Sequence, residues 1–382
     1  MTSLRSFVAD VLDTQGAMID LVDPDGLDVI APEPMRAAFG WPELARLGFG
    51  PQMPTGAMHI GLEGDWLDKF GALLGEHGRF AERQLVPDTA VHPPADPTAM
   101  INHVLELPNA VWRLAGSAPS WTRLLLLTFR TTAISDEKRE GLVTIGLNCT
   151  TGAVLGPDML GRLNAALDVA TAWTAPDPAI SRAAGPAWDP ATLAAKLRPL
   201  IEHRARADLD PFVAAMRRRL ERDRTRVHAY HDDLRRAAHA KLAAAKRGSG
   251  EKAEASAKRE AMRIAAIERD YAAKLADLGH NYALKVTVDW VQGLSVVAPV
   301  QRYELLIKRR KGERMLAMDW HPVARILEAP VSDWGLGLGA ARVVCDERLH
   351  LTEPAGAGAC GGCGKAYCRA CYGGGCPKCG RG

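Results

Sequence analysis

Between Leu209 and Tyr282 the apolar residues return every three, four or seven positions. Leu209, Val213, Leu220, Val227 and Leu234 form one stripe, with Phe212, Met216 and Tyr230 beside it. Arg247-Gly248-Ser249-Gly250 then reads as a flexible reversal. After it, Ala257, Ala261, Ile264, Ile267, Tyr271, Leu275, Leu278 and Tyr282 make a second stripe. This period predicts two long helices joined by a tight tip, an antiparallel coiled-coil hairpin. An arm of roughly 32 to 38 residues spans about 50 Å at 1.5 Å per residue.

The flanks follow other patterns. Residues 1–90 mix short helical patterns with punctuation such as Asp23-Pro24-Asp25-Gly26, and the segment from Asp65 to Leu85 carries Trp66, Phe70, Leu73 and Leu74 at helical spacing. Pro87, Pro93, Pro94 and Pro97 mark a connection, and residues 99–115 predict a helix broken at Pro108. Trp121 to Thr132 and Gly141 to Cys149 read as an antiparallel strand pair around the polar turn from Ser135 to Glu140. Thr151-Gly152 turns the chain into a helix around Pro157 to Trp173. Pro176, Pro178, Pro186 and Pro190 predict a linker, and Ala191 to Arg206 a short helix. Beyond Tyr282 the period is two, so Leu284 to Val297, Val300 to Lys308 and Glu313 to Trp320 read as strands. His321-Pro322 opens a short helical piece ending near Pro330, and Gly335, Gly337 and Gly339 precede a strand from Ala340 to Val344.

The expected architecture is multidomain α+β. An N-terminal α+β domain, a small sheet packed on helices, occupies 1–173. A Pro-rich linker and short helix fill 174–207, and the coiled-coil hairpin 208–282. A β-rich region covers 283–339, and a zinc module closes the chain at 340–382. The two β-rich regions are expected to belong to one body from which the hairpin projects.

Composition fits this reading. Of 382 residues, 47% are hydrophobic and 24% charged, as in a globular protein. No stretch approaches the roughly 18 apolar residues of a membrane span. The segment from Met1 to Asp13 lacks a signal-peptide pattern, so a cytoplasmic protein without membrane contact is expected. Charge is uneven: residues 1–150 hold 11 Lys+Arg against 19 Asp+Glu, while the whole chain is +3. An acidic front and a basic back can steer nucleic acid toward one end.

The most specific chemistry lies in the tail. Cys360, Cys363, Cys368, Cys371, Cys376 and Cys379 form three Cys-x2-Cys steps. Each step makes a knuckle whose thiolates converge on one ion, and two knuckles build the tetrahedral shell preferred by structural Zn²⁺. The segment is Gly-rich and nearly devoid of large apolar side chains, so ligation must supply its folding energy. Six ligands serve one ion with two to spare. A second ion needs two more, for which Cys345 and His350 are the candidates. One or two ions, shared sequentially or crosswise, all satisfy the spacing.

Tyr367-Cys368-Arg369-Ala370-Cys371 with Cys376-Pro377-Lys378-Cys379 resembles treble-clef fingers of the RING and FYVE kind. The long first loop and internal His ligand of a RING are missing, as is the basic lipid motif of a FYVE finger. Neither ubiquitin-ligase activity nor phosphoinositide binding is therefore implied. Ser135-Asp136-Glu137-Lys138 before a strand ending at Thr151-Gly152, and Arg309-Arg310 with Asp319-Trp320-His321-Pro322, add a second likeness. With the helical arms and finger, this layout resembles bacterial accessory proteins of Swi/Snf-type helicase-like ATPases. That resemblance implies a partner motor, work on DNA, and a place in phage defence.

Arg217, Arg218, Arg219, Arg222 and Arg226 on the first arm, and Arg309, Arg310 and Lys311 at a strand turn, are candidate nucleic-acid contacts. His228, His231 and His239 read as polar helix surface. No phosphate loop, dinucleotide fingerprint, zinc-protease or serine-hydrolase motif occurs. The expected function is a non-catalytic zinc-binding accessory or adaptor subunit of a bacterial DNA-processing complex, partnered by a helicase-like ATPase or a nuclease. The alternatives are a stand-alone nucleic-acid-binding protein and an enzyme whose site lies in the N-terminal domain.

Overall fold

A computed structural model describes residues 3–61, 63–75, 79–85, 92–169, 175–186 and 188–381. Pro87 and the 173/174 boundary fall outside the described residues. The chain divides into two compact units, Met1–Phe80 and Ala81–Gly382. Residues 81–382, which include both β-rich regions, the long helices and the cysteine-rich tail, belong to one of these units.

The first unit holds α1 (Ser3–Thr14), β1 (Met18–Val22), β2 (Gly26–Ile30), α2 (Glu33–Phe39), β3 (Leu44–Gly48), β4 (Met58–His59) and α3 (Trp66–Leu74). Its strands form one sheet in the order β1-β2-β3-β4. These strands escape sequence reading because each has five residues or fewer, too short to display a period. Leu27 and Val29 face the core while Asp28 between them faces out and pairs with Arg46 at 2.7 Å. Phe39, Trp41, Trp66 and Phe70 stack together beneath. The helical pattern from Asp65 to Leu85 ends early, because Gly75 takes φ +52°.

The second unit begins with β5 (Phe80–Gln84), which straddles the division, and α4 (Pro97–Val104). Then come β6 (Val111–Ile134), β7 (Lys138–Asn148), α5 (Pro157–Val169) and α6 (Pro178–Ala183). Two long helices follow, α7 (Pro190–Arg247) and α8 (Glu251–Asn281). The chain ends with β8 (Lys285–Arg309), β9 (Gly312–His321), β10 (Ile326–Leu327), β11 (Val343–Val344) and β12 (Leu351–Thr352).

The main sheet runs β10-β9-β8-β6-β7, with β5 on β8, so both β-rich regions share it. β6 and β8 pair antiparallel from Val111↔Lys308 to Ile134↔Lys285. The two strands expected on either side of Pro299 are therefore one, and residues 111–115 are strand rather than helix, because pairing with β8 overrides the local pattern. The piece after His321 pairs with β9 as β10 instead of coiling. The run from Leu124 to Leu127 is apolar throughout because both faces are covered. Leu124 and Leu126 meet Leu160 and Leu163 of α5, while Leu125 and Leu127 lie in the cluster holding Leu197 and Leu200 of α7.

The segment expected as a linker carries α6, capped by Asp177, whose carboxylate accepts from the Ala179 amide at 2.7 Å. The short helix and first arm are one helix of 58 residues, α7, running through Pro199 and Pro211. Both prolines are exposed, as are Ala195 and Ala207 one turn before them, so water can serve the carbonyls that lose a partner. Pro199→Ala and Pro211→Ala are each expected to stabilise the protein by about 1–2 kcal/mol, read as the urea midpoint. An unchanged midpoint would mean the helix already accommodates its prolines without cost.

α8 returns antiparallel to α7. Arg235 pairs with Glu268 at 2.7 Å, His231 with Asp270 at 3.0 Å, and Tyr282 donates to Asp223 at 2.7 Å. His231 is buried where a polar surface residue was expected, and Tyr230 is 61% exposed rather than part of the stripe. The middle of α7 is tied to the β6–β7 turn, where Arg219 grips Asp136 at 2.5 and 3.0 Å. No helix among the described residues is long and apolar enough to cross a membrane.

A polar network lies inside the sheet. The Asn148 amide donates to Asp319 at 3.1 Å and to Glu328 at 2.7 Å, and its oxygen accepts from Thr122 at 2.7 Å. Asp319 also takes two bonds from Arg302, at 2.8 and 2.9 Å. His321 lies 3.4 Å from Glu328. Burial raises the Glu328 carboxyl, outweighing the His321 ring beside it, and the Asp319 charge adds to the rise. A folded value above the unfolded one contributes stability that is full at low pH and is lost as pH rises through the folded value. Glu328→Gln is therefore expected to flatten a decline in stability above the ordinary carboxylate range, measured as urea midpoints at pH 5 and 8. Equal slopes in both proteins would refute it.

Candidate metal centre

Each ligand pair is positioned by a short turn. β11 and β12 pair antiparallel, and beyond them the Cys345 amide donates to the His350 carbonyl at 2.9 Å. That hairpin sets Cys345 and His350 side by side. The Cys368 carbonyl accepts from the Cys371 amide at 3.2 Å, closing the second pair. In the remaining two knuckles a glycine directly follows the second cysteine. Gly364 (φ +69°) donates to the Cys360 carbonyl at 2.9 Å and Gly380 (φ +70°) to that of Cys376 at 2.8 Å. The left-handed backbone that closes each turn favours glycine.

These pairs assemble into two groups, each able to hold a metal ion. Cys345, His350, Cys368 and Cys371 form an inner group; Cys360, Cys363, Cys376 and Cys379 form an outer one. Within each, the ligand atoms lie within 4.8 Å of one another. The Cys345–Cys371 sulfurs are 3.7 Å apart, Cys360–Cys379 3.5 Å and Cys363–Cys376 3.6 Å. His350 Nδ1 is 3.2 Å from the Cys371 sulfur and 3.8 Å from that of Cys368. A tetrahedral ion with bonds of about 2.3 Å places its sulfurs about 3.8 Å apart, so the donor sets fit. In chain order the first pair shares with the third and the second with the fourth, which is the crosswise arrangement.

Backbone amides prepare some thiols for ligation. Burial raises Cys376, yet the amides of Lys378 and Cys379 and the thiols of Cys363 and Cys360 bring it down to about 6. Cys360 is lowered by the amides of Gly362 and Cys363. Cys345 is lowered too: its burial is outweighed by the amides of Arg348, His350 and Glu347. Cys371, by burial and by its sulfur neighbours Cys345 and Cys368, is pushed up to about 12. Cys149 stands apart, its thiol pushed up to about 11 by burial, and joins neither group.

The inner group is fastened to the main sheet. Val344 and Leu351 are buried with Tyr303, Leu305 and Ile307. Asn109 bonds both backbone groups of Val344, each at 3.0 Å. Asp333 accepts from the Leu351 amide at 2.7 Å and pairs with Arg314. Arg309 pairs with Asp346 at 2.9 Å. Arg342, wholly buried, donates to the carbonyls of Pro330, Val331, Gly337, Gly339 and Ala341 and so shapes the loop before β11. Sequence reasoning missed Asn109, Asp333 and Arg342, whose partners lie on loops and strands that no local pattern connects to them.

The arginine candidates separate. Arg217, Arg218, Arg222 and Arg226 are exposed on α7. Arg219 is held by Asp136 and Glu137, and Arg309 by Asp346, so neither projects freely. Arg310 and Lys311 are exposed at the β8–β9 turn. Compared with protein families and with curated proteins, the chain matches none.

Proposed function

We propose that this protein is a non-catalytic accessory subunit whose tail holds two structural zinc ions and whose metal module is welded to a sheet carrying a long helical arm. The observation that carries the reading is the closure of the two donor sets. All eight ligand atoms lie in two four-membered shells, one all sulfur and one with three sulfurs and a nitrogen. Soft, tetrahedral shells of this kind suit Zn²⁺, and a filled shell leaves no open position for water or substrate. The fingers serve as staples, and the arm and finger surfaces as contact surfaces.

The machine it serves is a DNA-processing assembly with a helicase-like ATPase or nuclease as the working chain, the setting implied by the resemblance in layout. A native pull-down of the tagged protein from its host, with nuclease treatment, tests this. A stoichiometric ATPase or nuclease that survives the treatment is expected. A solitary chain would overturn the accessory reading.

A further inference from the structure

The outer face of α7 opposite α8 is cationic and almost free of apolar side chains. Arg218, Arg222 and Arg226, with Glu221 and Thr225, line a shallow groove of about 470 Å³. The three arginines follow one another at four-residue steps, a rise of about 6 Å each. Among the described residues Arg218 and Arg222 make no ion pair, and Arg226 is 80% exposed with only Asp223 at 3.6 Å. Three other arginines of the arm are engaged by carboxylates. Arg219 is held by Asp136, Arg235 by Glu268 and Asp232, and Arg236 by Asp233.

We propose that this groove binds the phosphodiester backbone of nucleic acid, with Arg218, Arg222 and Arg226 each neutralising a phosphate. Charge complementarity selects a polyanion. The composition of the face selects a nucleic acid over an acidic protein. A stable protein interface needs a buried aromatic or aliphatic centre, and the groove lining contains none. Backbone phosphate contacts need only exposed, rigidly spaced cations, and they carry no sequence preference. The inference extends the accessory reading by giving the protein its own grip on the substrate, and it needs no partner chain.

The test uses the full zinc-loaded chain and a fluorescent random-sequence DNA duplex, titrated from 50 to 200 mM salt. The comparison is with the triple variant Arg218→Gln, Arg222→Gln and Arg226→Gln, whose fold is checked by bound zinc and helical signal. Three lost contacts are expected to make the slope of log K against log salt shallower by about 2.7, equivalent to a weaker salt effect by about 40-fold over that range. Arg236→Gln, which removes a guanidinium already held by Asp233, is expected to leave the slope unchanged. An unchanged slope in the triple variant overturns the proposal. So does equal binding of labelled polyglutamate, which would assign the groove to an acidic protein. Either failure leaves the pull-down result, and with it the accessory reading, standing.

Discussion

Cys371→Ser is expected to cut bound zinc from two ions per chain to one and to lower the melting temperature of the protein sharply. Cys376→Ser is expected to cut zinc equally and to leave the melting temperature nearly unchanged. The difference follows from where each group is rooted. The inner group closes the hairpin between β11 and β12, whose Val344 and Leu351 are almost wholly buried in the core of the main sheet. Ligation is worth of order 10–16 kcal/mol in small fingers. Without it, only two residue pairs hold β11 to β12, and the apolar residues beneath lose their cover. The outer group buries Tyr367 with Cys360 and Cys376, with Cys363 and Tyr372 packed beside them, and nothing of the sheet. Metal analysis with thermal scans of both variants checks this. Equal losses of melting temperature would show that the module folds as one block, and loss of both ions from either variant would show that the sites are coupled.

The second large effect is expected at Asp319. Asp319→Ala removes the carboxylate that takes both bonds from Arg302 and one from Asn148, at a site of no solvent exposure. The half-buried Arg302 guanidinium then keeps only the Trp121 carbonyl and the Asn148 amide only Glu328, and breaking the buried pair is expected to cost about 3–5 kcal/mol. The double variant Arg302→Met and Asp319→Leu, which removes both charges and keeps the volume, is expected to recover most of that loss. Chemical denaturation of the three proteins decides it. A single-variant loss under about 1 kcal/mol would mean that water reaches the network and replaces the carboxylate.

The sequence was most legible where the structural signal is local. The Cys-x2-Cys spacing alone names six ligands, because a knuckle is closed by bonds within five residues. The stripes around Leu209 and Ile264 predict helices because burial on one side repeats every 3.6 residues whatever the partner. Legibility failed where a segment takes its form from a distant one. Residues 111–114 read as helix and became strand on pairing with residues 305–308. The strands of the first unit were too short to show a period. The predicted short helix from Ala191 to Arg206 and the first arm turned out to be one helix, running through Pro211 because its exposure lets water serve the backbone it leaves unpaired.

By itself the sequence determined that the tail gathers its cysteines into knuckles able to hold a metal, that two long helices lie between two β-rich stretches, and that the back of the chain is basic. Each depends on neighbours a few residues apart. Only the tertiary structure decided that Cys345 and His350 join Cys368 and Cys371, that the ligand pairs are shared crosswise, and that the two β-rich stretches form one sheet around Asn148 and Asp319. It also decided which arginines remain free: Arg218 and Arg222 face outward while Arg219 reaches back to Asp136. The physical reason is the same in every case. Spacing along the chain dictates what a residue can do, but chain closure over scores of residues, and the burial it makes favourable, selects the partner with which it does it.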